Sequence, residues 1–210
     1  MSTPRLPHLP RVEDADATEE VAALYTRARQ KLGAATLPAA LRSLAGSPVV
    51  FRDMMLNLER TLHERPPLAR AERLLVGLGV AAAAGAPDLA HWLDGLAEAH
   101  GIPATDRRSA IEVALVCRTL NAYYRAKSLM DVPGPGLDSH ANLRATPLVS
   151  SPLAKSTVEL VCTAVSVLTN CRSCVTAHAR SAIEAGATQP QLDEVVRVQA
   201  VVVGLAVLEG

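Results

Sequence analysis

Aromatic side chains are nearly absent: one Trp, three Tyr and one Phe in 210 residues. Surfaces that stack nucleobases need such rings, so their scarcity argues against single-stranded nucleic-acid binding. Net charge is absent too, with 21 basic residues against 21 acidic ones. That removes the electrostatic footprint expected for nucleic acid or an anionic membrane. The longest apolar run, Leu74 to Pro87, is rich in Ala and Gly and falls short of the ~20 residues a membrane helix needs. The stretch Met1-Ser2-Thr3-Pro4-Arg5-Leu6-Pro7 lacks the apolar centre of a signal peptide, so a cytoplasmic location is expected. Disulfides are rare in that compartment unless they are catalytic or redox-sensing. The cysteines of this chain therefore carry more weight than they would in a secreted protein.

What is abundant is Ala, Leu and Val, interspersed with helix-forming Arg and Glu, and this predicts an all-α fold. The length suits a single compact domain. Residues 1–45 read as a proline-bearing arm and a helix over about 17–32, with Asp16 and Glu19 as a capping box. Residues 46–130 read as a first helical unit without a cysteine pair. Ser47-Pro48 starts a helix of about 48–64 with Val49, Met54, Met55, Leu58 and Leu62 facing the core. A buried helix follows over about 69–84, another over 88–100 that stops at Gly101, and a long one, capped by Thr105 or Asp106, that runs to about Met130. Residues 131–151, rich in Pro, Gly and polar residues, read as a linker. Residues 152–210 form a second helical unit, with helices over about 152–168, 171–185 and 189–208 and with Asn170 as an N-cap. The last helix is apolar enough to be core or interface, and its periodicity does not separate the two.

The second unit holds the chemistry. Cys171, Cys174 and His178 stand at i, i+3 and i+7, one face of a helix. Glu159 lies twelve residues before Cys171 in the preceding apolar helix. The expected breaks put Cys171 in a first helical turn, where the macrodipole and free N–H groups favour a thiolate. His178 is one turn beyond Cys174 and can exchange a proton with a thiol, while Glu159 can orient the imidazole and raise its basicity. A sulfenic acid on one thiol can condense with the other to a disulfide. An internal repeat is also visible, because Glu72 to His91 spans the same nineteen residues as Glu159 to His178. Ala84 and Pro87 would then stand at the cysteine positions.

A structural zinc site is the chief rival, with Cys171, Cys174 and His178 as ligands and Cys162 as a fourth. Such sites usually staple domains that lack a core, and this chain has a large one, so no metal and no bound cofactor are expected. A c-type haem is excluded by the position of His178, and thioredoxin by the lack of a βαβ pattern. Cys117 and Cys162 read as inert buried thiols, His91 as a core histidine or relic of the repeat, and Tyr123 and Tyr124 as core. His8, His63, His100 and His140 read as solvent-facing loop residues.

The pattern Glu159, Cys171, Cys174, His178 resembles the alkylhydroperoxidase D-like family of the carboxymuconolactone decarboxylase superfamily. The runs Val158-Glu159-Leu160 to His178 and Asn121-Ala122-Tyr123-Tyr124-Arg125 carry the same likeness, which covers about residues 45–210. The resemblance implies an all-α fold of duplicated helical units, assembled as homotrimers or hexamers. It implies an alkyl hydroperoxide-reducing enzyme in which Cys174 is the peroxidatic thiol, Cys171 the resolving thiol, and His178 with Glu159 the proton relay. It further implies a lipoyl-bearing or thioredoxin-like protein as reductant and a peroxiredoxin as possible partner. That branch has a histidine directly before the second cysteine. Here Ser173 stands there and cannot act as a base near neutral pH, which puts the lipoyl-coupled subtype in question more than the dithiol chemistry. Two alternatives stay open: a decarboxylase-like enzyme with incidental cysteines, and a non-catalytic zinc-binding or redox-sensing helical protein.

Overall fold

The computed structural model describes residues 9–63, 65–130 and 141–209. His8, His140 and the first ten residues of the expected linker lie outside them. Among the described residues the chain is all-helical, with no strand beyond an isolated bridge between Arg65 and Leu68. A 3-10 turn, Asp14–Asp16, leads to α1 (Glu19–Leu32), α2 (Ala39–Arg42), α3 (Pro48–Leu62), α4 (Arg70–Ala84), α5 (Pro87–Ala99) and α6 (Ala104–Leu129). After the break come α7 (Thr146–Val149), α8 (Lys155–Leu168), α9 (Arg172–Glu184) and α10 (Gln189–Ala206). The all-α expectation is met. The short α7 lies inside the stretch read as linker.

Local chemistry explains most ends. The α1 cap is Thr18, whose hydroxyl accepts from the Val21 N–H; Asp16 belongs to the preceding 3-10 turn. Proline opens α3 and α5 at the first position, where its missing N–H leaves nothing unpaired. A Thr188–Gln191 capping box starts α10. Asn170 is not an N-cap: it adopts a left-handed φ of 53°, and Cys171 takes the cap position of α9. A short polar side chain tolerates that conformation.

Two triplets of helices share one frame. Helices α4, α5 and α6 begin at residues 70, 87 and 104, and α8, α9 and α10 at 155, 172 and 189. Each pair of starts is 85 residues apart, and the left-handed residues Gly85 and Asn170, and Gly101 and Gly186, keep the same interval. The repeat therefore runs two residues out of step with the Glu72–His91 match. In the structural register Glu159 corresponds to Leu74 and His178 to Leu93. Glu72 instead sits in the first turn of α4 and accepts from the Ala69 N–H. His91 is exposed, which corrects its reading as a core residue.

The centre of the molecule is α4 and α8, both buried along most of their length. Helix α4 packs on α5, α6, α8 and α10, and α8 on α6, α9 and α10. Gly79 permits this crowding. A Cβ there would meet Val161 Cγ1 at 3.0 Å and both the Ala110 carbonyl and the Ala114 Cβ at 3.2 Å. Arg73 ties the halves together from a fully buried position. Its guanidinium donates to the carbonyls of Leu68, Thr61 and Arg65 and to Glu194 Oε2 of α10 at 2.6 Å. Burial alone would raise the Glu194 carboxyl, but Arg73 and Arg197 hold it below its ordinary value.

Helices α1 and α3 flank this centre. Phe51, Met55, Leu58 and Leu62 form the buried face of α3, the helical i, i+4, i+7, i+11 stripe. Val49, expected on that face, is 68% exposed because it lies off the stripe at the helix start. On α10 the periodicity resolves into a core face of Val195, Val198, Val202 and Leu205, leaving Val196 outside.

Candidate active site

Three helices of the second unit and its neighbour meet at one polar pocket inside the apolar core. Helix α8 supplies Glu159, Cys162 and Ser166, spaced i, i+3 and i+7 on one face and all buried. Helix α6 brings Cys117 and Asn121, one turn apart and also buried. Helix α9 brings Cys171 at its cap, Cys174 in its first turn and His178 one turn on. The rigidity of α8 between its neighbours fixes the carboxylate; the tight Thr169–Asn170 turn then points α9 back against it. That turn is held by Cys171 N–H donating to the Ser166 carbonyl at 3.1 Å.

Cys171 and Cys174 are joined in a disulfide with Cα atoms 5.3 Å apart. Both are buried, at 2% and 7% exposure. The Ser173 hydroxyl lies 3.7 Å from the Cys171 sulfur. Beside α9, Ser128, Arg172, Ser173, Thr176, Ala177 and Arg180 line an open groove of about 600 Å³.

His178 is held at both nitrogens. Nδ1 bonds Glu159 Oε2 at 2.7 Å, and Nε2 lies 4.0 Å from the Cys117 sulfur. The other Glu159 oxygen takes the Lys155 ammonium at 2.6 Å. Burial by itself would raise the Glu159 carboxyl, but His178 and Lys155 outweigh it and hold it ionised below its ordinary range. Burial would lower His178, yet Cys117 and Glu159 push it up to about 9. A hydrogen bond from Cys162, opposed by burial and assisted by His178, brings the Cys117 thiol down to about 5. Cys162 answers by moving well above the usual thiol value, through its bond to Cys117, its burial and the Cys117 charge. The pocket thus favours an imidazolium against a thiolate, flanked by a carboxylate.

Asn121 completes the frame. Its Nδ2 donates to Ser166 Oγ at 3.0 Å, to Thr169 Oγ1 at 3.1 Å and to the Cys117 sulfur at 3.5 Å. So the structure brings Glu159 and His178 into direct contact and closes Cys171 on Cys174. Among the described residues no hydrogen bond joins His178 to either of those sulfurs. It rests on Cys117, so reading Cys117 as an inert thiol misses its imidazole neighbour. The i, i+4 pair Lys155–Glu159 and the i, i+4 pair Cys117–Asn121 were visible signals in the sequence. Tyr123 is half-buried and Tyr124 42% exposed, stacked edge to face on each other outside the core. His63 is not free in solvent; its Nε2 meets the Lys31 carbonyl at 2.8 Å.

Comparison with known proteins points the same way. Residues 140–209 match the model of the Carboxymuconolactone decarboxylase family. The chain is 33% identical over 160 residues to the alkyl hydroperoxide reductase AhpD of Anaeromyxobacter dehalogenans strain 2CP-C, covering 76% of this chain and 84% of that protein. It is 34% identical over 173 residues to the AhpD of Methylobacterium sp. strain 4-46, covering 82% and 94%. The AhpD of Coxiella burnetii strain Dugway 5J108-111 is 30% identical over 166 residues, covering 76% and 90%.

Proposed function

The chain belongs to the alkylhydroperoxidase D-like family of the carboxymuconolactone decarboxylase superfamily, and from that premise we propose that it reduces alkyl hydroperoxides through Cys174 and Cys171. The relatives support a peroxide-reducing or decarboxylase-like enzyme in general. The observation that carries the finer reading is the Glu159–His178 hydrogen bond of 2.7 Å, one helical turn from a buried cysteine pair.

In the reduced enzyme the Cys174 thiolate attacks the terminal peroxide oxygen. The S–O bond forms, the O–O bond breaks, and the alkoxide takes a proton from His178 or the Cys171 thiol and leaves as the alcohol. Cys171 sulfur then attacks the Cys174 sulfenic acid, and water departs with a second proton as the disulfide closes. Two thiols are oxidised and one peroxide is reduced. Glu159 keeps the imidazole oriented and ready to recover its proton, the role of the third group in an activated-nucleophile set. In the disulfide form Cys174 has no proton to exchange, and His178 Nε2 rests on Cys117.

An external dithiol must reset the disulfide. We assign this to a lipoyl group or a thioredoxin-like protein, reaching the redox helix through the Arg172–Arg180 groove. Assembly into a homo-oligomer and electron delivery to a peroxiredoxin are part of the same proposal. The test is a sulfenic-acid trap applied to Cys171→Ser after one equivalent of alkyl hydroperoxide. Label on Cys174 is expected; label on Cys117 or on no cysteine would reject the assignment. The match of residues 140–209 keeps a second reading in view, in which Glu159 and His178 perform acid–base decarboxylation. Lactone-acid turnover that survives alkylation of Cys171 and Cys174 would favour it.

A further inference from the structure

We propose that Cys117, Cys162 and His178 form a binding site for a thiophilic d10 cation, zinc being the representative ion, separate from the Cys171–Cys174 pair. The two sulfurs and one imidazole nitrogen all lie within 4.8 Å of one another. In a zinc tetrahedron with bonds of ~2.3 Å to sulfur and ~2.0 Å to nitrogen, ligand atoms stand about 3.5–3.8 Å apart. Cys117 Sγ and His178 Nε2 are already at 4.0 Å, and side-chain movements of up to about an ångström bring the whole set to those spacings.

Three further observations fit a metal and not merely a cluster. The donors come from three helices, α6, α8 and α9, so one ion would clip α6 to the consecutive α8–α9 pair. Cys117 and Cys162 are fully buried, which gives a water-poor shell, while the His178 side chain at 22% exposure leaves an entry and a fourth coordination position toward solvent. His178 uses Nδ1 for the Glu159 carboxylate, the outer hydrogen bond that orients and strengthens a metal-bound imidazole through its other nitrogen. Ser166 Oγ, 3.9 Å from the Cys117 sulfur, adds an oxygen on the same side. Two thiols and an imidazole select zinc or copper(I) over magnesium or calcium. Binding takes both sulfurs as thiolates and the imidazole as its neutral form; the protons they still hold, that of the His178 imidazolium included, go to solvent, so affinity rises with pH.

The site differs from the zinc arrangement considered from the sequence, which used Cys171 and Cys174. Those two sulfurs are bonded to each other here. An ion on Nε2 would withdraw His178 from the proton relay and stop turnover. That consequence rests on the proposed peroxidase reading; the binding test below does not.

The test titrates the oxidised protein, whose disulfide keeps the paired cysteines out of the coordination sphere, with cobalt(II) as a spectroscopic probe and with zinc. The expected result is one equivalent of tightly bound metal, with a thiolate-to-cobalt charge-transfer band and tetrahedral d–d absorption. Both are lost in Cys117→Ser and in Cys162→Ser, and both persist in the double variant Cys171→Ser/Cys174→Ser. Circular dichroism checks that each variant keeps its helices. If the single variants misfold, the wild-type spectrum and the double variant decide: a wild-type protein without the thiolate band, or a double variant that loses it, overturns the site.

Discussion

At Leu74, Ala86, Leu89 and Leu93 the first helical unit carries apolar side chains, each no more than 1% exposed. The positions 85 residues on are Glu159, Cys171, Cys174 and His178. The helix starts and the left-handed turns coincide between the two units, so one backbone frame supports a packed apolar core in one copy and a polar cluster with a cysteine pair in the other. The difference teaches what the frame itself requires. The frame needs a glycine or asparagine at the turn and an apolar face; it needs neither carboxylate nor thiol. The charged cluster in α8 and α9 is laid on a frame that the first unit builds without it. Even the flanking cation is shared, Arg70 standing where Lys155 stands.

The sharpest way to break the comparison makes the second unit resemble the first. Glu159→Leu/His178→Leu should drop peroxide turnover by about 10²–10⁴-fold, the usual contribution of a proton-transfer group. The same protein should be as stable as the wild type or more so by about 1–4 kcal/mol, because replacing a buried ion pair by apolar side chains is often neutral or favourable. A urea titration and a rate assay check both halves. Lost stability together with lost activity would mean that the pair holds the fold. The reverse exchange, Leu74→Glu, brings a carboxylate into the first unit where Leu93 offers no imidazole. Arg70 one turn earlier gives it partial compensation at best, and destabilisation of about 3 kcal/mol or more is expected from the uncompensated buried charge.

A smaller effect separates the two frames where α4 packs on α6 and α8. Gly79 corresponds to Ala164 by the same interval. Gly79→Ala should destabilise by about 1–3 kcal/mol, because the added Cβ meets Val161 Cγ1 at 3.0 Å and the Ala110 carbonyl, a backbone atom, at 3.2 Å. Ala164→Gly should cost only about 0.5–1 kcal/mol, the backbone-entropy penalty of glycine in a helix. Equal losses at the two sites, read from thermal melts, would mean the halves are packed alike there.

The mildest prediction concerns pH and belongs to the second unit alone. His178 is raised from 6.5 to about 9, so its stabilisation is fully present below pH 6.5 and is lost as pH rises through 9. Cys117 is lowered from 9.0 to about 5, so its stabilisation is present above pH 9 and is lost as pH falls through 5. Between pH 6.5 and 9 the folded chain keeps one proton that the unfolded chain sheds and sheds one that it keeps, and the two slopes cancel. From these two groups, stability should rise from pH 5 to 6.5 and then stay level to pH 9. A steady fall over pH 6.5–9 in the urea midpoint would mean that the Cys117 thiol stays neutral.

Most of the helical frame could be read from prolines, caps and glycines: α3, α5 and α10 begin within a residue of where Ser47-Pro48, Pro87 and the Thr188 box place them. The motif of Glu159, Cys171, Cys174 and His178 was legible from spacing alone. The repeat was legible as a pattern but two residues out of register. Glu72 and His91 share a chance nineteen-residue interval, while helix starts, which periodicity locates poorly, carry the true one. Cys117 and Asn121 could not be placed beside His178, because that contact joins residues 61 apart through the packing of α6 on α8 and α9. Buried Arg73 was likewise invisible, since its partner Glu194 is 121 residues away.

The central claim is that Cys174 reduces peroxide with Cys171 as its resolving partner. It is tested most directly by following alkyl hydroperoxide consumption with excess dihydrolipoamide in the wild type and in Cys174→Ser. The account predicts steady turnover by the wild type and background rates in the variant. Undiminished turnover in Cys174→Ser would contradict it.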